Sequence, residues 1–196
     1  MIYSIKGQLI HTETNLAVVE CAGVGFALRT TATSLDGLKI GTEVTFLTHM
    51  NVREDAIELF GFITSHELDC FKMLLSISGV GPKAALAILS EMSPQSFALS
   101  IVADDVKALT RVQGIGTKTA QMIILKLKDK LSKESGVPAG VSTARTQTAG
   151  SSTEAISALL VLGFTASESA QALSGLDENM ETSEKIKQAL KKLSRK

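Results

Sequence analysis

The chain has no tryptophan, three prolines and two cysteines in 196 residues, and its formal net charge is zero. Each shortage removes a class of protein. Cys21 and Cys70 are too few and too far apart for a disulfide-stapled scaffold, and they point to a reducing compartment, the cytoplasm. No apolar run approaches the roughly 20 residues of a membrane span. The segment Met1–Gly7 alternates instead of forming the apolar centre of a secretion signal. His11, His49 and His66 are scattered and do not combine with either cysteine at metal-ligand spacing, so no metal centre and no cofactor are expected. The phosphate loop of an ATPase is missing as well: Gly114-Ile115-Gly116-Thr117-Lys118-Thr119 lacks its spacing, so any ATP hydrolysis lies in another protein. No catalytic residues are assigned.

A zero net charge argues against a polyanion partner only if the charges are mixed, and here they are segregated. Residues 1–63 hold four basic and seven acidic side chains, a net of −3, whereas residues 64–133 hold nine basic and six acidic, a net of +3. A basic middle beside an acidic beginning is the pattern of a polyanion-binding face with a repulsive neighbour.

The local patterns divide the chain in the same places. Residues 1–63 read as β: short apolar or alternating runs around Ile5, Leu9-Ile10, Leu16–Val19, Phe26–Leu28, Val44–Leu47 and Ile57–Phe62 are punctuated by glycine. Five such strands suit a closed barrel of the OB type. Tyr3, Phe26, Phe46, Phe60 and Phe62 are placed as core, so a scaffold is expected here before a base-stacking platform. Asn51–Asp55 is expected at a hairpin tip between the fourth and fifth strands. Residues 64–133 read as all-α, opened by the capping-box pattern Thr64-Ser65-His66-Glu67. Ser93-Pro94 is expected to end the second helix, and Asp104-Asp105 to start the third. Residues 134–152 are fourteen parts in nineteen Ser, Thr, Gly, Ala or Pro, a flexible linker with a reach of about 25 Å. Residues 153–196 read as a three-helix bundle with Leu159, Leu162, Phe164 and Leu173 as core. The fold class is therefore multidomain α+β.

One internal repeat carries the chemistry. Sliding residues 71–89 by 35 positions onto 106–124 aligns Lys72, Leu74, Gly79, Gly81, Lys83, Ala85 and Ile88 with Lys107, Leu109, Gly114, Gly116, Lys118, Ala120 and Ile123. Seven identities in nineteen, with Val80 over Ile115, mark a duplicated helix, Gly-x-Gly turn and helix. Glycine permits positive φ and close approach of another molecule. The helix that follows offers unpaired N–H groups to an anion. A lysine in a helix's first turn opposes the helix dipole by roughly 0.3–1 kcal/mol. Lys83 and Lys118 both stand there, which is reasonable if an anion sits in front of them. The candidate nucleic-acid site is thus Gly79, Val80, Gly81 and Lys83 with Gly114, Ile115, Gly116 and Lys118.

The stretches Leu74–Ser90 and Gly114–Ala120 resemble the paired helix-hairpin-helix motifs of the bacterial RuvA family, which binds Holliday junctions. Thr48–Ala56 is similar to that family's acidic-pin hairpin, and Ala158–Phe164 to its C-terminal domain. The resemblance implies structure-specific, sequence-independent binding of four-way junction DNA in recombination and repair. It implies a homotetramer, single or as two facing tetramers, recruitment of a RuvB-type hexameric ATPase through the C-terminal bundle, and possible work beside a RuvC-type resolvase. It makes Glu54 and Asp55 the acidic pin. Thr117 departs from members with a second basic residue there. Two other classes compete with this reading: a helix-hairpin-helix DNA glycosylase with Asp104 as its acid, which leaves the barrel and second hairpin unused, and a non-catalytic interaction scaffold, which leaves the paired lysines unexplained.

Overall fold

The computed structural model describes residues 1–134, 150–177 and 180–193. It comprises two compact units, Met1–Ser76 with Gly81–Ser93, and Ile77–Val80 with Pro94–Lys196.

In the first unit, β1 (Ser4–Glu13), β2 (Leu16–Cys21), β3 (Val24–Arg29), β4 (Glu43–Val52) and β5 (Ile57–Phe62) close a barrel in the order β1-β2-β3-β5-β4. All pairings are antiparallel except β3 with β5, which touch in parallel only at Leu28–Leu59 and Arg29–Phe60. Period-two alternation sends Ile5, Leu9, Ala17, Val19, Leu28, Val44 and Phe46 inward, each less than a tenth exposed. Phe46, Phe60 and Phe62 are core, as their placement in the sequence implied, and Phe26 is partly buried against it; Tyr3, expected with them, precedes β1 and is 67% exposed.

The barrel is not closed along its whole height. β4 pairs with β1 only through Glu43–Leu47, while its later half pairs with β5 as far as Val52–Ile57. The end of the β4–β5 hairpin is therefore a two-stranded arm. Arg53 N–H donates to Ala56 O at 2.8 Å to close its turn, leaving Glu54 and Asp55 at the tip, both exposed.

The short helix α1 (Ala32–Leu35) was not foreseen. Thr31 caps it, accepting from Ser34 N–H. Its purpose emerges at α2 (Ser65–Leu75), where Thr64 and Glu67 form the expected capping box. The Glu67 carboxylate is 4% exposed. Besides its capping role it accepts from the Thr31 hydroxyl at 3.0 Å and from the Ser34 hydroxyl at 3.0 and 3.1 Å. Ser34 Oγ in turn accepts from Ile63 N–H at 3.2 Å. Phe71 of α2 packs against Phe60 and Phe62 with centroids 5.1 and 4.9 Å apart. Further along, α3 (Pro82–Glu91) is tied to the α1 segment by Thr33 Oγ1 donating to Leu89 O at 3.3 Å. Barrel and α2 thus share an aromatic core and, with α1, one buried polar hub, and α3 is held to the same α1 segment. The same surroundings protect Cys70, whose thiol burial pushes up to about 12 with help from the Asp69 and Glu67 charges.

The second unit contains α4 (Pro94–Val102), α5 (Val106–Thr110), α6 (Thr117–Glu134), α7 (Gly150–Val161), α8 (Ala166–Leu173) and α9 (Thr182–Leu193). Helix α4 corrects the expectation that Pro94 only terminates: it is the first residue of a new helix, where a missing N–H costs nothing. Asp105 caps α5 by accepting from Ala108 N–H at 3.0 Å, and Thr165 caps α8 with Glu168 as a second capping box. Leu159, Leu162 and Phe164 are buried as expected, with Leu173 at the margin. Their core also includes Ala98, with Leu99 and Val102 alongside, so the C-terminal bundle rests on α4. Most of the expected linker, residues 135–149, lies outside the described residues. No single helix among the described residues is long and apolar enough to cross a membrane.

The Glu67 hub yields a stability prediction. Glu67→Ala removes a cap and orphans two buried hydroxyls, so urea denaturation should show a loss of about 2–4 kcal/mol. Exposed Glu43→Ala should lose less than about 1 kcal/mol.

Candidate nucleic-acid interface

The two copies of the repeat fold alike. In the first, Gly79 has φ +87° and Val80 N–H donates to Ile77 O at 3.0 Å; in the second, Gly114 has φ +87° and Ile115 N–H donates to Val112 O at 3.0 Å. Val80 and Ile115 are each 5% exposed and anchor the turn from below. Ala85 N–H then reaches Gly81 O at 3.0 Å, and Ala120 N–H reaches Gly116 O at 2.9 Å, the first bonds of α3 and α6.

The two glycines of each turn serve different ends. The first needs its left-handed conformation, which an L-residue adopts at a cost of roughly 1–2 kcal/mol. The second does not. Gly81 has φ −92° and ψ 173°, and Gly116 likewise lies outside the positive-φ region. A Cβ built on either would meet nothing within 4 Å. The fold leaves these two positions free to take a side chain, so the bareness of the backbone there is open to another molecule.

The helix starts are bare in the same sense. Thr64, Asp105 and Thr165 bond their helices' amides with side-chain oxygens, whereas Gly81 supplies no side-chain cap and Gly116 has no side chain to supply. Pro82 opens α3, and Lys83 and Lys118 follow in the first turns of α3 and α6, both without an ion-pair partner among the described residues. Thr117 is exposed beside Lys118. Each copy therefore presents amide hydrogens, a positive helix end and a free ammonium group around a second glycine with open space before it, a cradle for an oxygen anion.

The other residues singled out are accounted for locally. Asp104 sits at φ +55° and binds Lys128 through its carboxylate. His49 lies edge-on to Phe71 at 5.6 Å, and burial, then the Lys72 charge, lowers its pKa below the usual histidine value. Around the acidic tip, sequence reading missed Val52 and Ile57. They face each other across the hairpin, 60% and 71% exposed. Val52 keeps the inward parity of Val44 and Phe46, and only the hairpin's extension past the barrel exposes it.

Barrel, tandem hairpins and small bundle together define a tandem helix-hairpin-helix protein with an OB-type head. Comparison with known families places it further. Residues 1–61 match the RuvA N terminal domain, 71–129 the SAM-like helix-hairpin-helix tandem, and 151–194 the RuvA C-terminal domain. Curated relatives named Holliday junction branch migration complex subunit RuvA include those of Acetivibrio thermocellus, 43% identical with both chains fully covered, and Ruminiclostridium cellulolyticum, 42% identical over 98% of this chain and all of the relative. That of Polynucleobacter asymbioticus is 38% identical over the full length of both. The chain belongs to the RuvA family.

The split between the glycines is testable without a ligand. Gly114→Ala should destabilise the protein by about 1 kcal/mol, part of the strain being offset in the unfolded chain. Gly116→Ala should leave the denaturation midpoint unchanged or slightly raised. Equal losses at both positions would contradict the division.

Proposed function

We propose that this chain is the junction-binding, non-catalytic subunit of a branch-migration machine: it holds four-way junction DNA by its phosphates and brings an ATP-driven motor of the RuvB type to it. The single observation that carries this reading is the pair of matching turns, each with an open second glycine and a lysine at an uncapped helix start. Such cradles contact backbone and carry no base information, so binding is governed by DNA shape and not by sequence. Four arms call for four equivalent grips, which a homotetramer supplies, as one ring or two facing rings. The domains divide the work: residues 1–63 assemble and carry the pin, 64–133 grip DNA, 134–152 tether, and 153–196 dock the motor. A resolvase of the RuvC type is a further partner of the same assembly.

Glu54 and Asp55 supply selectivity by repulsion. A carboxylate about 6 Å from a phosphate costs roughly 3 kcal/mol at an effective dielectric of 20, before screening. Continuous duplex lying across the tip bears that cost in full, whereas a junction whose strands part around the tip escapes most of it.

Two outcomes are expected. Lys83→Glu with Lys118→Glu should weaken junction binding and make its logarithmic salt dependence shallower, by about 0.9 for each phosphate that is no longer neutralised. An unchanged slope at unchanged affinity would remove the cradles from the interface. Glu54→Gln with Asp55→Asn should tighten duplex binding more than junction binding, and the gap should close as salt rises. An unaltered junction-to-duplex preference would reduce the tip to a polar turn.

A further inference from the structure

The barrel has a cleft that neither the cradles nor the acidic tip uses. It lies between the β1–β2 turn, the outer side of β3 and the start of β5, where β3 and β5 have parted after only two paired positions. Its volume is about 470 Å³, and Leu16, Ala27, Ile57 and Leu59 form the apolar part of its lining. Ile57 joins it to the tip: the same side chain lines the cleft and faces Val52 directly beneath Glu54 and Asp55. The barrel's interior is already filled by Phe46 and Phe60; Leu59 packs against that core and Leu16 is half-buried, whereas Ala27 and Ile57 are exposed and take no part in it.

The charges around the cleft decide what it accepts. Its one cation, Arg29, is occupied, with Nε donating to Glu58 Oε1 at 2.7 Å. The other charged lining group is Glu13, which sits 3.3 Å from the ring of His11. With Glu54 and Asp55 above and Arg53 the one cation of that tip, the region keeps an excess of carboxylates, which repels phosphate. What remains of a nucleic acid is its bases: uncharged, flat, apolar on their faces, and carrying exocyclic amino groups that donate to carboxylates. In a barrel of this type the turn between the first two strands and the loop between the last two flank the usual oligonucleotide-binding face. The cleft lies there, and aliphatic side chains take the place of the absent aromatic platform.

We propose that the Val52–Ile57 pair and the adjoining cleft receive unstacked DNA bases, so that the barrel contacts the strands its acidic tip has parted. The inference rests on the junction-binding reading and deepens it. The cradles hold paired arms by phosphate, the tip excludes phosphate from the crossing point, and the apolar collar offers the released bases a surface that water does not. Parted strands are thereby held open instead of merely being kept away.

The test uses the full chain and a four-way junction with 2-aminopurine at the crossing positions, a base whose fluorescence is quenched by stacking on its neighbours and restored when it leaves the stack. Saturating wild-type protein should raise the signal, because aliphatic side chains do not quench it. Val52→Ser with Ile57→Ser, both exposed and so harmless to folding, should abolish most of the rise. Junction affinity should fall by less than about tenfold, the scale of a single base contact, with the salt slope intact because the cradles are untouched. Ala27→Glu, an exposed change that fills the cleft, should act alike. An undiminished rise in both variants, or no rise with wild type bound at saturation, would overturn the proposal. Failure of the wild type to prefer junction over duplex, read from binding alone, would instead overturn the functional reading beneath it.

Discussion

Everything the tandem domain does depends on a backbone constraint set twice: a left-handed glycine that reverses the chain, followed at once by a helix whose first amides have no internal acceptor. Gly79 and Gly114 hold the same φ of +87°. Val80 and Ile115 pin the turns to the interior. That arrangement leaves what is elsewhere a cost of helix formation, unpaired N–H groups and an uncompensated dipole, available to an anion. The chain caps other helices with Thr64, Asp105 and Thr165, so it can satisfy helix starts and leaves these two bare.

The charge segregation follows the same logic at larger scale. The basic excess lies in the segment with the two cradles, and the acidic excess lies in the barrel, where the β4–β5 arm carries Glu54 and Asp55 past the last strand pairing with β1. In the proposed reading, attraction and repulsion fall on separate elements, and selectivity for a DNA shape comes from where each is placed. Because α2 and α3 share a compact unit with the barrel, α2 through Glu67 and the Phe60–Phe62–Phe71 contacts and α3 through the Thr33–Leu89 bond, the helix start that carries Lys83 and the acidic arm belong to one packed body.

Much of this was legible in the sequence. Alternation located the five strands, the repeat located both turns, and the Thr64–Glu67 pattern located a helix start that the structure realises as a capping box. Other features rested on information that a linear pattern does not carry. Pro94 reads equally as a stop and as a start, and only the packing of Phe97 and Ile101 shows that a helix follows. Helix α1 is one turn long, too short to show a period, and is held by hydroxyls that reach a carboxylate more than thirty positions away. The differing roles of the glycines could not be separated either, since both spell the same letter; the φ values and the empty space above Gly81 and Gly116 separate them. The exposure of Val52 and Ile57 depends on where the barrel stops, and that is a matter of strand pairing.

The central claim is that two equal cradles hold DNA by its backbone, so that shape and salt govern binding while sequence does not. The direct measurement is equilibrium binding, over a series of salt concentrations, of two four-way junctions with unrelated arm sequences and of a linear duplex of matched length. The account predicts equal affinities and parallel, steep salt dependences for the two junctions, with the duplex weaker throughout. A preference for one arm sequence over the other, or equal binding of junction and duplex, would contradict it.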